Sequence, residues 1–236
     1  MAIGFADDRL REQARALAEQ FHFIIDNHAV PRLSVTADKL VLLSNGFSPL
    51  FVDFSSQFLQ KRRDAGKKQG LVRACKPARG VRILDATAGW GRDAAVLASL
   101  GADVLMLERQ PVMAALIADA LSHLDSKAIS LALLHTDAKC YLQTLSVDHY
   151  PDVIYIDPMH PDRQKSALVK KDMQVLQGLF GADDDAQELI QLAIERVNDR
   201  VVVKWPQRLP PLMQPDLSIG GKTVRFDVYL SPLKFV

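Results

Sequence analysis

Two glycines, Gly89 and Gly91, lie in the string D-A-T-A-G-W-G-R-D, between an apolar run and a run with helical character. A strand, a glycine turn and a helix start in this order form a turn that holds nucleoside-containing cofactors in many proteins. The spacing Gly89-x-Gly91-x-x-Ala94 also satisfies the dinucleotide fingerprint. The glycines therefore predict where a cofactor is held, but not which cofactor it is.

Acidic residues around the turn bear on the choice of cofactor. Asp85 and Asp93 bracket it, and Glu108 follows at about the distance used to hold a ribose diol. The two bracketing carboxylates would repel the pyrophosphate of a dinucleotide. S-adenosylmethionine carries an ammonium and a sulfonium and no phosphate, so the acids favour it. Asp137 follows the next predicted strand, where an acid could accept a hydrogen bond from an adenine amino group or, equally well, cap the following helix.

A second motif, D-P-M-H-P, begins at Asp157 directly after an apolar run. Methyltransferases that act on exocyclic base amines carry a D/N-P-P-Y/F motif at this place. The lone pair of such an amine is delocalised into the ring, and acceptors for its N–H bonds localise it again and can help to remove the proton. We predict that Asp157, the Pro158 carbonyl and His160, which could stack on a base, form the catalytic group. The alternative for Asp157-Pro158 is a turn after a buried strand.

Basic residues are concentrated in the chain although the formal net charge is only +1. Residues 60–82 hold nine basic residues and one acid, and a further basic group follows the second motif. Such a concentration is typical of a surface that binds a polyanion, although a solvated helix face is the alternative. The residues predicted to bind a polyanion, which the resemblance described below implies to be RNA, are Lys61, Arg62, Arg63, Lys67, Lys68, Arg163, Lys165, Lys170 and Lys171.

The elements that must position these residues alternate between strands and helices from residue 81 onward. Such alternation predicts an α/β fold with a doubly wound, mainly parallel sheet and ligands at the carboxyl ends of its strands. The predicted strands are 81–84, 103–107, 129–134, 152–156, 200–204 and 225–230, and the predicted helices are 93–99, 111–124, 138–145 and 185–198.

The N-terminal part has a different pattern. Helical spacing over residues 7–25 precedes short strand-like runs at 33–36, 39–43 and 50–53, and helices are predicted at 55–64 and 69–75. We therefore predict a small N-terminal α/β region over residues 1–56 and a main domain over residues 57–236.

Composition limits the class of protein. With 236 residues and 48% hydrophobic residues, the chain can bury one sizeable core with a small appendage. No apolar run approaches the roughly 18 residues of a membrane span, so no membrane association and a cytoplasmic location are expected. Cys75 and Cys140 lack the spacing of a metal site, and no metal is predicted.

Several strings together resemble one known family. They are D-A-T-A-G-W-G-R-D, M-L-E-R-Q-P-V, Y-I-D-P-M-H-P-D-R-Q-K-S-A-L-V-K-K-D-M and V-V-V-K-W-P, with V-D-F and K-R-R upstream. Over about residues 52–230 they resemble the ribosomal RNA small subunit methyltransferase J family. The resemblance implies a class I, Rossmann-like methyltransferase that uses S-adenosylmethionine to methylate the exocyclic amine of a guanine in 16S ribosomal RNA. The implied partner is 16S ribosomal RNA or the small ribosomal subunit.

The resemblance also implies roles for individual residues. Asp157 would lie where the methyl group and the target amine meet, and His160 replaces an aromatic residue such as Phe. The implied cofactor contacts are Arg92 and Asp93 after the turn, Glu108 and Arg109 at the ribose and adenosine, and Asp137 and Ala138 along the adenine.

Two other classes of protein share part of this pattern. A dinucleotide-dependent oxidoreductase would explain the glycine turn and Glu108, but not the motif at Asp157 or its basic flank. A non-catalytic RNA-binding or ribosome-assembly protein would explain the basic residues, but would make the series of carboxylates accidental.

Overall fold

The computed structural model describes residues 1–55, 60, 64–124, 129–159, 178–179 and 185–235. Its first part is a four-stranded sheet with the order β2-β1-β3-β4, in which β1 is parallel to β2 and β3 while β4 is antiparallel to β3. The elements are β1 (Ala2–Phe5), α1 (Arg11–Phe21), β2 (Ile24–Ile25), β3 (Arg32–Val35) and β4 (Leu40–Leu43).

The structure corrects the predicted N-terminal elements in three places. The helix predicted over 7–25 ends at Phe21, because His22 takes a left-handed conformation with φ +57° and caps it. Residues 2–5, for which no element was predicted, form β1. The strand predicted at 50–53 is reduced to a single bridge between Leu42 and Leu50. Most of the helix predicted at 55–64 lies outside the described residues.

The second part is a seven-stranded sheet with the order β10-β11-β9-β8-β5-β6-β7. Five strands are parallel, and β11 is antiparallel to both of its neighbours, β9 and β10. The elements are α2 (Gly70–Cys75), β5 (Arg82–Asp85), α3 (Arg92–Ser99), β6 (Asp103–Glu108), α4 (Pro111–Ser122), β7 (Leu131–His135), α5 (Ala138–Thr144), β8 (Val153–Ile156), α6 (Ala186–Ile194), β9 (Arg200–Pro206), β10 (Leu217–Gly220) and β11 (Val224–Leu230).

This architecture confirms the predicted α/β fold with a mainly parallel sheet. The prediction did not include β10, and α6 ends four residues earlier than the helix predicted over 185–198. From β5 the chain proceeds outward through β6 and β7, and then returns to the other side of β5 with β8 and β9. The order therefore reverses between β5 and β8, and in doubly wound sheets the crevice at this reversal is where ligands bind.

Helix α4 connects the two sheets. Its residues 112–117 are all buried, and they share one hydrophobic cluster with Ile3 and Leu33 of the N-terminal sheet and Met106 of β6. In addition, the Leu40 N–H donates to the Asp119 carboxylate at 2.8 Å. The boundary between residues 56 and 57 remains a prediction.

No helix in the described part of the chain has the length and apolar character needed to cross a membrane.

Candidate active site

A cavity of about 540 Å³ opens at the carboxyl ends of β5, β6 and β8, at the reversal of strand order. Most of the predicted site residues line it: Asp85, Gly89, Arg92, Asp93, Glu108, Arg109, Asp137, Ala138, Asp157 and Pro158. His160 and the basic residues predicted at 61–63 and 163–171 lie outside the described residues, as does the side chain of Lys67. The fold thus brings together side chains that are up to about 70 positions apart in the sequence.

The glycine turn has the backbone conformation that its sequence predicts. Gly89 and Gly91 adopt φ values of +53° and +65°, a left-handed region that is costly for residues with a side chain. A Cβ at Gly91 would also lie 2.8 Å from a ring carbon of Phe54 and 3.1 Å from the Met106 sulfur. Gly91 therefore packs behind the turn, against the core, while Gly89 lines the cavity.

Glu108 joins the turn to the end of β6. Its Oε2 accepts a hydrogen bond from the Gly89 N–H at 2.9 Å, and its Oε1 accepts one from the Gln110 N–H at 2.7 Å. The residue is only 7% exposed. An ionised carboxylate has about four acceptor positions, so Glu108 can hold the turn and still accept hydrogen bonds from a ligand.

Lys204, in the second half of β9, links two of the predicted acids. Its Nζ lies 2.7 Å from Asp157 Oδ2 and 2.9 Å from Asp93 Oδ2. Asp93 Oδ2 also accepts a hydrogen bond from the Tyr155 hydroxyl at 2.7 Å. The Asp157 N–H donates to Thr87 Oγ1 at 2.6 Å, which fixes the backbone after β8 against the glycine turn.

Three further residues of the site, Lys204, Tyr155 and Thr87, are not among those predicted from the sequence. One signal for Lys204 was available, because it stands at the end of the apolar run V-V-V and a charged residue there lies at the ligand-binding edge of a parallel sheet. Nothing in the pattern marks Tyr155 or Thr87.

Asp137 and Arg109 lie at the other end of the cavity. The Asp137 carboxylate caps α5 by accepting from the Lys139 N–H at 2.9 Å and the Cys140 N–H at 3.1 Å, as the helix-cap interpretation predicts. Arg109 lies 3.8 Å from Asp137 and 3.2 Å from Asp185. Lys139 pairs with the same Asp185 at 2.9 Å. Polar and charged groups therefore surround this end.

Asp85, at the end of β5, is the most deeply buried of the acids, with 1% of its surface exposed. Burial raises its pKa from 3.8 to about 8, and the negative charges of Asp93, Asp157 and Glu108 add to this effect. A hydrogen bond from the Thr87 N–H at 3.1 Å opposes it. A cationic ligand would favour the ionised form, so binding of an ammonium group near neutral pH should release a proton.

The raised pKa of Asp85 has a consequence for stability. Between pH 4 and 8 the folded chain binds more protons at this residue than the unfolded chain, so its contribution to stability is complete below about pH 4 and is lost as the pH rises through about 8. One pKa unit corresponds to about 1.4 kcal/mol, so the expected loss is a few kcal/mol. Urea unfolding from pH 5 to 9 should show this decline for the native chain, whereas the decline should be smaller for Asp85→Asn. Parallel curves for the two proteins would contradict the assignment.

The fold and the site define a class of enzyme. The chain matches the family described as "Putative SAM-dependent methyltransferase" over residues 16–231, and it is an S-adenosylmethionine-dependent methyltransferase. A solved SAM-dependent methyltransferase from Neisseria gonorrhoeae is 29% identical and has a TM-score of 0.78, with 98% of this chain and 96% of that chain covered.

Curated relatives narrow the class further. The ribosomal RNA small subunit methyltransferase J of Legionella pneumophila (strain Lens) is 57% identical over 97% of this chain and 96% of its own. The protein of the same name from Coxiella burnetii (strain RSA 493) is 50% identical over 77% of this chain and 75% of its own. This chain belongs to the ribosomal RNA small subunit methyltransferase J family, which excludes the oxidoreductase alternative.

The residues around the cavity fit S-adenosylmethionine. Trp90 lines the cavity and is 6% exposed, and its indole N–H has no hydrogen-bond partner among the described residues, so a donor is available for a ligand. Carboxylates suit the two cationic centres of the cofactor, and the volume lies within the usual range of about 300–1,000 Å³ for ligand sites. Within the described ranges, no group of three or more His, Cys, Asp or Glu side chains is placed to hold a metal ion.

Proposed function

We propose that this enzyme methylates the exocyclic amine of a guanine in 16S ribosomal RNA. One observation carries the proposal: Asp157 lines the same cavity as the glycine turn, across the reversal of strand order from Asp85. A carboxylate at this place can accept an N–H bond of an amine that enters the cavity. The names of the relatives, which specify the RNA of the small ribosomal subunit, and the family resemblance of the motif at Asp157 support the choice of acceptor.

The residues of the chain bind and orient the reactants in this reaction. S-adenosylmethionine supplies an electrophilic methyl group. Asp157 and the Pro158 carbonyl would accept the two N–H bonds of the guanine amine, which turns its lone pair toward the methyl group. Asp85 would hold the cationic amino-acid end of the cofactor. The remaining proposed cofactor contacts are Gly89, Arg92, Asp93, Glu108, Arg109, Asp137 and Ala138.

The residues proposed to contact RNA lie near cavity-lining residues in the sequence. Lys68 is exposed directly before α2, and the other predicted basic residues lie outside the described residues or, for Lys67, have a side chain that does. The positively charged side chains of these residues would contact phosphates of the RNA and bring the target base to Asp157. His160 remains a predicted stacking residue. A 16S RNA or small-subunit substrate implies action in the cytoplasm.

The test is methyl transfer from labelled S-adenosylmethionine to small subunits and to free 16S RNA from cells that lack this modification, followed by mapping of the labelled base. Label on the exocyclic amine of one guanine is expected. Fully modified 16S RNA and large-subunit RNA are the controls, and neither should accept label. Transfer to protein, to another position of the base, or to no RNA would contradict the proposal.

A further inference from the structure

One ammonium group holds carboxylates from two different elements of the site. Lys204 on β9 contacts Asp157, which follows β8, and Asp93, which lies in the first turn of α3. Both contacts are hydrogen-bonded ion pairs shorter than 3 Å. The three side chains are between 17% and 22% exposed, so water screens these pairs less than it screens pairs on the open surface.

The two carboxylates determine the protonation states of Lys204 and Tyr155 beside them. Burial alone would lower the pKa of Lys204, but the negative charges of Asp157 and Asp93 outweigh burial and raise it above its ordinary value. Lys204 therefore stays protonated. The Tyr155 hydroxyl donates to Asp93, and its pKa is raised because the ring is buried next to Asp93, Asp157 and Asp85. Tyr155 therefore remains a neutral donor, and Lys204 supplies the positive charge that these two carboxylates share.

We propose that Lys204 is a positioning residue for methyl transfer, which holds the Asp157 carboxylate in one orientation and ties it to the helix that follows the glycine turn. This inference rests on the proposed function, in which Asp157 accepts an N–H bond of the target amine. Lys204 uses one of the roughly four acceptor positions of that carboxylate, so a further hydrogen bond from an amine can be accepted. The acceptor end and the cofactor end of the cavity are then held at a fixed separation by the Asp157–Lys204–Asp93 bridge.

Orientation is the reason why such a bridge matters. An aspartate side chain at the end of a strand can rotate about two bonds, and the methyl group and the attacking nitrogen must be aligned for transfer. A displacement of about 1 Å can cost about 100-fold in rate. The backbone of Asp157 is fixed by Thr87, and Lys204 fixes the carboxylate.

The test compares kcat and the KM for S-adenosylmethionine of Lys204→Met and Lys204→Arg with those of the wild-type enzyme. For Lys204→Met we expect kcat to fall by about 100-fold. The KM should change little, because the lost contact of 2.7 Å orients the acceptor carboxylate. Lys204→Arg keeps the charge and hydrogen-bond donors, so it should recover part of the lost kcat.

Two further measurements separate positioning from a purely structural role. Calorimetric titration with S-adenosylhomocysteine should give similar affinities for the wild type and Lys204→Met, and melting temperatures report whether the variant is folded. Lys39→Met removes a lysine whose ammonium lies over the Phe51 ring, away from the cavity, and serves as the control for loss of one positive charge. This control should leave kcat and KM unchanged.

The outcomes are distinct. If Lys204→Met keeps the wild-type kcat, or if its loss of kcat comes with a matching loss of stability and cofactor affinity, the positioning role is wrong. If Lys204→Met does not fold, Lys204→Arg decides, since a loss of its cofactor affinity in proportion to its loss of kcat would contradict the role. A wild-type enzyme that transfers no methyl group to undermodified RNA contradicts the proposed function instead.

Discussion

Replacing Asp157 with alanine should reduce methyl transfer to undermodified 16S RNA by about 10³-fold, within the range of about 10²–10⁴ that acid–base groups contribute. The amine would lose an acceptor for its N–H bond, and its lone pair would stay delocalised into the base. The cofactor contacts on β5, β6 and α5 would remain. Single-turnover transfer measures the loss, and calorimetry with S-adenosylhomocysteine should show that the affinity for the cofactor changes little.

Two further variants test whether the loss of methyl transfer is specific to the Asp157 carboxylate. Asp157→Asn keeps an acceptor oxygen but not the charge, so it should lie between alanine and the wild type. Asp152→Asn is the matched control, because Asp152 precedes the same strand at its other end, where it accepts a hydrogen bond from the Arg82 N–H at 2.8 Å. It should leave transfer unchanged. Near-wild-type turnover by Asp157→Ala would remove Asp157 from the reaction.

Replacing Gly91 with alanine should destabilise the enzyme by about 2–5 kcal/mol. A left-handed conformation costs a residue with a Cβ about 1–2 kcal/mol, and insertion of a methyl group into a packed core typically costs about 1–3 kcal/mol. Both costs apply here, because the new Cβ would lie 2.8 Å from Phe54 and 3.1 Å from Met106. Urea unfolding measures the loss, and the affinity for S-adenosylhomocysteine should fall as well, since the turn must shift.

Gly80→Ala separates the two contributions. Gly80 has a φ of +81°, but nothing lies within 4 Å of the position where its Cβ would be. Only the conformational cost applies, so a loss of about 1–2 kcal/mol with unchanged cofactor affinity is expected. Equal losses for the two variants would show that packing behind the turn is unimportant.

The main sheet could be predicted because its signals are local. Each parallel strand is a short apolar run with a polar residue at or just after its end, and the intervening helices have their own spacing. The positions of Asp85, Glu108, Asp137 and Asp157 at the strand ends follow directly from that alternation. The glycine turn is equally local, since two left-handed positions next to a strand require glycine.

The remaining features depend on contacts that are distant in the sequence. Strand β2 has two residues and β1 has four, too few for a period to be recognised, and they exist because they pair with each other and because β1 also pairs with β3. The bridge from Asp157 to Lys204 and Asp93 joins three elements, and no spacing rule connects these positions.

The charge state of the site could not be predicted from the sequence either. The sequence predicts two negative charges at the bracketing acids, Asp85 and Asp93, which would repel a pyrophosphate. In the structure Lys204 offsets the charge of Asp93, and burial keeps Asp85 largely protonated near neutral pH. The choice of S-adenosylmethionine was right, but the repulsion that supported it is weaker than the sequence implied, and family membership carries the assignment.

Helix α4 has a consequence for anyone who wishes to shorten this enzyme. One of its residues, Met113, lines the cavity, while others share a hydrophobic cluster with the N-terminal sheet. A truncated protein that begins after the N-terminal sheet would expose the apolar surface of α4 to water, and such a patch promotes aggregation. The N-terminal sheet therefore acts as a solubilising cover for a wall of the active site, and a smaller catalytic fragment would need polar replacements on α4.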